Sequence, residues 1–317
     1  MPGQTETQIG PVPEGAASEA LQFVAGGRRR DVSAALRAEG LQRAIGCGDG
    51  HWLWWARRGG RCVGASLVLA GSGRVGMLSC SPAGAPGVDA ACVSATIRGA
   101  ARRALGDGLA FVQSLLAPTR REDIAVLVSA GLHRLAELAY LRLDLTRPVP
   151  REDEGRYAWR TYRRYGEEEL LETVEATYVQ SCDCPGLRGL RRIADVIEGH
   201  KASGVFSPRS WWIVFAEGRP AGCILVNGSS VSPGSMDVVY LGVAAAFRGR
   251  GIGRAMVRRA ARWARRRKRR VLTVAVDTGN DYARRIYDEA GFRETSRRLA
   301  YILPMASPQA EPTGTVC

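Results

Sequence analysis

Between Asp237 and Asp277 the chain has no acidic side chain, although it carries 31 in its 317 residues. That gap is the first of several absences that narrow the reading. No apolar run approaches the roughly 18 residues that crossing a bilayer requires, so no membrane span is expected. The first twenty residues lack both a basic start and an apolar stretch, which argues against a secretory signal, and a cytoplasmic location is expected. Three histidines, at 51, 133 and 200, show no H-E-x-x-H spacing, and no Cys-x-x-Cys occurs, so no metal is expected. The eight cysteines are scattered and read as reduced thiols, with Cys182-Asp183-Cys184 a loop pair. There is no G-x-S-x-G elbow for a serine hydrolase and no G-x-x-x-x-G-K-[ST] loop for a nucleoside triphosphate.

What is present is a core-forming composition, 45% hydrophobic and 24% charged. The net charge is +14, and its excess is local: twelve Lys and Arg fall between Ala244 and Arg270, inside the acid-free stretch. Such a cluster suits a nucleic-acid footprint, the wall of a polyanionic cofactor site, or a solvated helix face.

Residues 1–20 are rich in Pro, Gly and Ala without a period and read as a flexible tail. Helical spacing runs from Arg29 to Ile45, with Val32, Leu36, Leu41 and Ile45 as inward positions. Three glycine-punctuated apolar runs follow as a strand meander, His51–Ala56, Cys62–Leu69 and Val75–Cys80. Next come a helix from Asp89 to Leu105, a strand at Leu109–Leu115, a helix at Arg120–Ser129 and strand material at Leu135–Leu145. The proline-broken, charged stretch 148–155 reads as a linker. Beyond it the order recurs. A strand at Arg156–Tyr162, helices at Glu167–Tyr178 and Leu190–His200, a second meander through Val243, a helix at Arg250–Arg266, a strand at Val271–Val276, a helix at Asn280–Ala290 and a strand to Leu303 complete it, and 306–317 looks like a tail. The repeated order predicts a tandem duplication, with domains at 21–147 and 156–305. The tryptophans that open strands in both halves, at 52, 54, 55, 211 and 212, read as sheet and core packing.

The densest chemical signal is VVYLGVAAAFRGRGIGRAM, from Val238 to Met256. A β-branched run, a glycine turn and a helix start place unsatisfied backbone N–H groups and a helix dipole where an anion can bind. The dinucleotide fingerprint fails, because Arg254 stands where its third glycine belongs. The pattern R-x-x-G-x-G at Arg248, Gly251 and Gly253 fits instead, and it resembles the GCN5-related N-acetyltransferases. A second motif, N-x-x-A-x-x-x-Y-x-x-x-G-F, is met by Asn280, Ala283, Tyr287, Gly291 and Phe292.

The resemblance implies two acyl-CoA N-acyltransferase folds, each a mixed, mostly antiparallel twisted sheet flanked by helices, and acetyl-coenzyme A as cosubstrate. Backbone groups of Leu241, Gly242 and Val243 would hold the thioester arm. Residues Arg248, Gly249, Arg250, Gly251, Ile252, Gly253 and Arg254 would face the pyrophosphate. Asn280 would bond the pantetheine and Tyr287 would protonate the departing thiolate. Asp237, six residues before Val243, is the candidate base, with a solvent-facing carboxylate as the plainer alternative. Tyr178, Ser181 and Asp183 are candidate contacts for the acceptor, a small-molecule or peptide amine. Transfer by direct attack on a primary amine is the expected activity, in a monomer or homodimer, with nucleic acid not expected as a partner. A non-catalytic acyl-CoA-sensing or polyanion-binding protein on the same scaffold is the alternative.

The first half departs from these motifs. Aligned on Gly131 and Gly291, Asn280 becomes Arg120, Ala283 becomes Asp123 and Tyr287 becomes Leu127. Its turn, SPAGAPGVD, has two prolines, no base, and Asp89 at the helix start. The first half is therefore expected not to bind coenzyme A.

Overall fold

A computed structural model describes residues 6–26, 32–147 and 156–305. In chain order the elements are β1 (Thr7–Pro11), α1 (Ala17–Gly26), α2 (Val32–Cys47), β2 (His51–Arg58), β3 (Arg61–Gly71), β4 (Val75–Cys80), α3 (Ala90–Gly106), β5 (Phe111–Leu116), α4 (Arg121–Ser129) and β6 (His133–Asp144). They continue with β7 (Ala158–Thr161), α5 (Tyr162–Tyr178), α6 (Ile193–Ala202), β8 (Trp211–Ala216), β9 (Arg219–Gly228), β10 (Ser235–Val243), α7 (Ile252–Arg266), β11 (Val271–Asp277), α8 (Asp281–Glu289) and β12 (Arg293–Pro304). No helix is long and apolar enough to cross a membrane among the described residues.

Two compact units divide the chain: one runs to Leu135 and resumes at Leu299, the other spans Ala136 to Arg298. In the first unit the strand order is β1-β2-β3-β4-β5-β12, antiparallel except where β4 meets β5. Strand β3 is covered on both faces, which explains its unbroken apolar reading: Leu67 packs with Leu21 and Val24 of α1, while Val68 packs with Val93 and Ile97 of α3. Helix α3 is set by its cap, Asp89, whose carboxylate accepts from the Cys92 N–H at 3.1 Å. Val93, Ile97, Ala100 and Ala104 then recur at helical spacing on its buried face.

The second unit has the order β6-β11-β10-β9-β8-β7. Its core joins the buried stripe of α7, Met256, Val257, Ala260 and Ala264, to Val214, Ile224 and Val274 of the sheet. The opposite face of α7 carries arginines, and the Arg259 guanidinium lies over the rings of Trp159 and Trp212 at 4.6 and 5.6 Å. Trp211 and Trp212 are buried in the sheet, as the sequence suggests. Each unit is a mixed, mostly antiparallel sheet flanked by helices, the expected fold class.

Three expectations change. Residues 1–20 are not a tail throughout, because β1 pairs with β2 from Thr7↔Arg58 to Pro11↔Trp54 and Ala20 and Leu21 are buried. Five residues broken by glycine and proline give no alternation to read; the strand exists because β2 supplies an edge. On α2, Val32 and Leu36 face outward, and Ala34 and Ala38 are the buried positions. The helix lies so close to α1 that only alanine fits: a Cβ on Gly26 would stand 2.9 Å from the Ala34 Cβ. Finally, the segments 21–147 and 156–305 do not coincide with the compact units. From Ala136 onward β6 pairs with β11, and from Leu299 onward β12 pairs with β5. Two halves of matching pattern offer two equivalent partners for each last strand, and the sequence does not tell which sheet receives it. The stretches 148–155 and 306–317 lie outside the described residues.

Candidate active site in the second unit

Strands β10 and β11 run parallel and paired only from Ser235–Val238 against Val271–Val274. Beyond that, β10 continues against β9 to Val243, after a bulge between Val238 and Tyr240, while β11 continues against β6 to Asp277. The two strands part, and the inner edge of β10 from Tyr240 to Val243, including the predicted Leu241, Gly242 and Val243, is left without a strand partner. A free edge offers backbone donors and acceptors to an extended ligand. Helix α5 closes on this edge: a Cβ on Gly242 would meet Thr177 Oγ1 at 2.6 Å and the Tyr240 hydroxyl at 2.8 Å. Glycine is the residue that permits the approach.

The turn after β10 is shaped by two glycines in left-handed backbone, Gly249 (φ 76°) and Gly251 (φ 82°), the second capping α7. Among the described residues, no N–H from Gly249 to Arg254 donates to a backbone carbonyl, and α7 has its first backbone bond at Ala255 N–H to Gly251 O, 3.1 Å. This run of unused amides at a helix start suits an anion. Gly253 serves packing, since a Cβ there would stand 2.8 Å from Ile286 of α8.

The arginines of the turn are otherwise engaged. Arg248 donates to the carbonyls of Val243 (3.1 Å), Gln180 (2.8 Å), Thr177 (3.2 Å) and Val179 (2.7 Å), and its own N–H bonds Ala245 O. Its side chain ties the end of α5 to the end of β10. Arg250 pairs with Glu217 at 2.5 Å, and its carbonyl accepts from the Tyr157 hydroxyl at 2.6 Å. Arg254 grips Glu289 through both Nε and Nη2. Attraction for an anion here rests on the amides and the dipole rather than on unpaired guanidinium groups.

Asn280 caps α8, its Oδ1 accepting from Ala283 N–H at 3.1 Å. Near it lie the carboxylates of Asp183 and Asp277. The Asp183 turn is stitched down by Cys184 N–H to Asp277 Oδ2 (3.2 Å) and by Asp183 N–H to Ser181 Oγ (3.2 Å). Although Asp183 is exposed at the surface, desolvation of its carboxyl raises the pKa, and the neighbouring Asp277 carboxylate adds to the rise. Tyr287 is buried edge-on against Phe292, ring centroids 5.3 Å apart. Burial drives its phenol far above the ordinary value, with the Asp183 charge reinforcing the shift. The fold thus brings Asp183, Asn280 and Tyr287 together. Asp237 lies in the paired stretch of β10, opposite Thr273, whose hydroxyl donates to its Oδ1.

Sequence reasoning named Tyr178 but missed the Thr177, Tyr240 and His200 side chains grouped with it on the α5–α6 side. Thr177 Oγ1 and the Tyr240 hydroxyl are 2.5 Å apart, Tyr178 stacks on Tyr240 at 6.0 Å, and the His200 ring sits 5.4 Å from Tyr240. Burial pushes both phenols up and lowers His200 to about 4, with Arg191 adding to the latter. His200 Nε2 is buried without a hydrogen-bond partner among the described residues. The β10 bulge sets which face Tyr240 occupies, and no local pattern marks it. Among the described residues, no three His, Cys, Asp or Glu side chains are grouped to hold a metal ion.

A sequence model described as the acetyltransferase (GNAT) family matches residues 182–292, the segment holding the turn, Asn280 and Tyr287. No curated protein matches the sequence. Among solved structures, a GCN5-related N-acetyltransferase from Sphaerobacter thermophilus is similar over 98% of both chains, with a TM-score of 0.63 and 17% identity. A tandem GNAT protein from the clavulanic acid biosynthesis pathway covers 96% of this chain and 100% of its own, with a TM-score of 0.52 and 16% identity. A GCN5-related N-acetyltransferase from Kribbella flavida covers 89% and 98%, with a TM-score of 0.52 and 14% identity. At such identities the structural matches speak for the fold alone: residues 182–292 match the GNAT acetyltransferase family model, in a chain whose fold is similar to that of solved tandem GNAT proteins.

Proposed function

We propose that this protein is an N-acetyltransferase that moves the acetyl group of acetyl-coenzyme A to a primary amine by direct attack, in the second unit alone. The observation that carries the reading is the run of unused amides from Gly249 to Arg254, set beside the open edge of β10. Each amide bond to a charged oxygen contributes about 1.5–3 kcal/mol, so two or three suffice to anchor a pyrophosphate without a free arginine. Bound there, acetyl-coenzyme A supplies an activated thioester. Leu241 to Val243 hold its arm through backbone groups and orient the carbonyl, and the Asn280 amide, whose oxygen caps α8, offers its NH2 to the pantetheine. Tyr287, kept protonated by burial, stands as the donor for the thiolate.

The acceptor amine must arrive uncharged or lose a proton on arrival. Two carboxylates can take it: Asp237 on β10, and Asp183, whose pKa is raised above the ordinary carboxyl value. Tyr178, Ser181 and Asp183 line the approach we assign to a small-molecule or peptide amine. Thiol release from acetyl-coenzyme A over a panel of amines, with product masses, tests the reading. The expected result is release that depends on one amine class. Absence of acetyl-coenzyme A binding by calorimetry, together with no release across the panel, would overturn it. The pH profiles of Asp183→Asn and Asp237→Asn assign the base, which is the residue whose loss removes the acid limb.

A further inference from the structure

A cavity of about 910 Å³ in the first unit lies where β4 and β5 separate. These strands pair only from Val75–Met77 against Phe111–Gln113. Each then runs three residues further, held on its outer edge alone, β4 by β3 to Cys80 and β5 by β12 to Leu116. All six residues of those extensions line the cavity. The inner edges therefore present backbone N–H and C=O groups that no strand satisfies, the setting in which an extended chain is taken up by strand addition.

The remaining lining selects among extended chains. Val24, Leu41, Leu78, Leu115 and Leu116 give its mixed lining an apolar part, which suits aliphatic side chains. Of its charged groups, Asp123 is spent internally, accepting from the Ala83 N–H at 2.8 Å and from Arg120. Arg37 and Arg121 then stand against Glu122 alone, a balance that favours an anionic end. A nucleotide is excluded on the same ground that distinguishes the two units. Pro82 and Pro86 have no N–H to give, Asp123 takes the amide of Ala83, and the start of α3 already holds the Asp89 carboxylate, which is paired with Arg58 at 2.8 Å.

We infer that this cavity is a second binding site, for a short, extended, aliphatic amide chain ending in a carboxylate, such as the last two or three residues of a peptide. The site belongs to the first unit and stands or falls independently of the acetyltransferase reading. Calorimetry with N-acetyl-Leu-Leu on the full chain tests it. Saturable binding is expected, weakened roughly tenfold when the probe's carboxylate is replaced by an amide or when exposed Arg121 is changed to Glu. Ser79→Trp, which fills the opening, should abolish it. Acetyl-coenzyme A binding, read by thermal shift, should stay unchanged in both variants. No binding by the wild type at millimolar probe, or equal affinity in Ser79→Trp, would overturn the site. Should Ser79→Trp fail to fold, unchanged affinity in Arg121→Glu together with equal affinity for the amide probe would overturn it.

Discussion

Both units part a parallel pair of strands, β4 from β5 and β10 from β11, yet they finish the gap in opposite ways. In the second unit the chain leaves the gap through two left-handed glycines and starts α7 with its amides unused. In the first it leaves through Pro82 and Pro86 and starts α3 on Asp89, a carboxylate that takes the Cys92 N–H and pairs with Arg58. The backbone path that makes a gap is therefore separable from the chemistry that would suit it to an anion. What decides is whether the first turn of the following helix already has its negative charge.

That contrast is open to direct attack. The largest effect is expected from Gly251→Asp, which gives the second unit the first unit's solution. A side chain in left-handed backbone is strained, and a carboxylate would stand among the amides. Calorimetry should show acetyl-coenzyme A binding lost by at least about 100-fold, which at 1.4 kcal/mol per decade is roughly 3 kcal/mol, the worth of one or two of these amide bonds. Retained affinity would mean the amides are not the anchor. Tyr287→Phe should lower kcat by roughly 10² or more, the usual weight of a positioned acid, with cofactor affinity nearly unchanged. Leu127 already stands at the matching position of the first unit, so unchanged turnover would make the tyrosine as inert as that leucine.

A third test uses the buried ring that only the second unit has on its α5–α6 side. His200 titrates near 4 when folded and near 6.5 when unfolded, so the unfolded chain takes the proton first as pH falls. The stability it contributes is complete above pH 6.5 and is lost between 6.5 and 4, by up to roughly 3 kcal/mol. Urea denaturation of His200→Phe should show a correspondingly flatter dependence over that window. The smallest effect belongs to Arg254→Ala. Because Arg254 is paired with Glu289 on an exposed surface, its loss should change acetyl-coenzyme A affinity by less than about threefold. A large drop would show that the guanidinium leaves Glu289 for the ligand.

What could be read from the sequence was what is local. The glycine turn, the helix start at Asn280, the spacing to Tyr287 and the prolines of SPAGAPGVD each depend on a few neighbouring residues, and the structure places them at or before helix starts or on a helix face. Arg248 shows the limit. Its place in the pattern was legible, but its hold on three carbonyls at the end of α5 depends on residues some seventy positions away. The bond from the Cys184 N–H to the Asp277 carboxylate spans 93 positions and is as far beyond local reading. Tyr240 was hidden for another reason, a single bulge that shifts the facing of a strand. Strand β1 and the outward-facing Val32 and Leu36 are matters of what lies next to a segment, and composition does not record neighbours.

The last strand of each half completes the sheet of the unit that holds the other half's elements, and this has a consequence for synthesis. Strand β5 and the helices around it leave the ribosome early, but the edge of β5 stays bare until Leu299–Pro304 has been made. The second unit can close its β11 edge at once, since β6 has already emerged. The unit begun first is thus the one finished last, and a polypeptide released before residue 299 would carry an open sheet edge into a crowded cell.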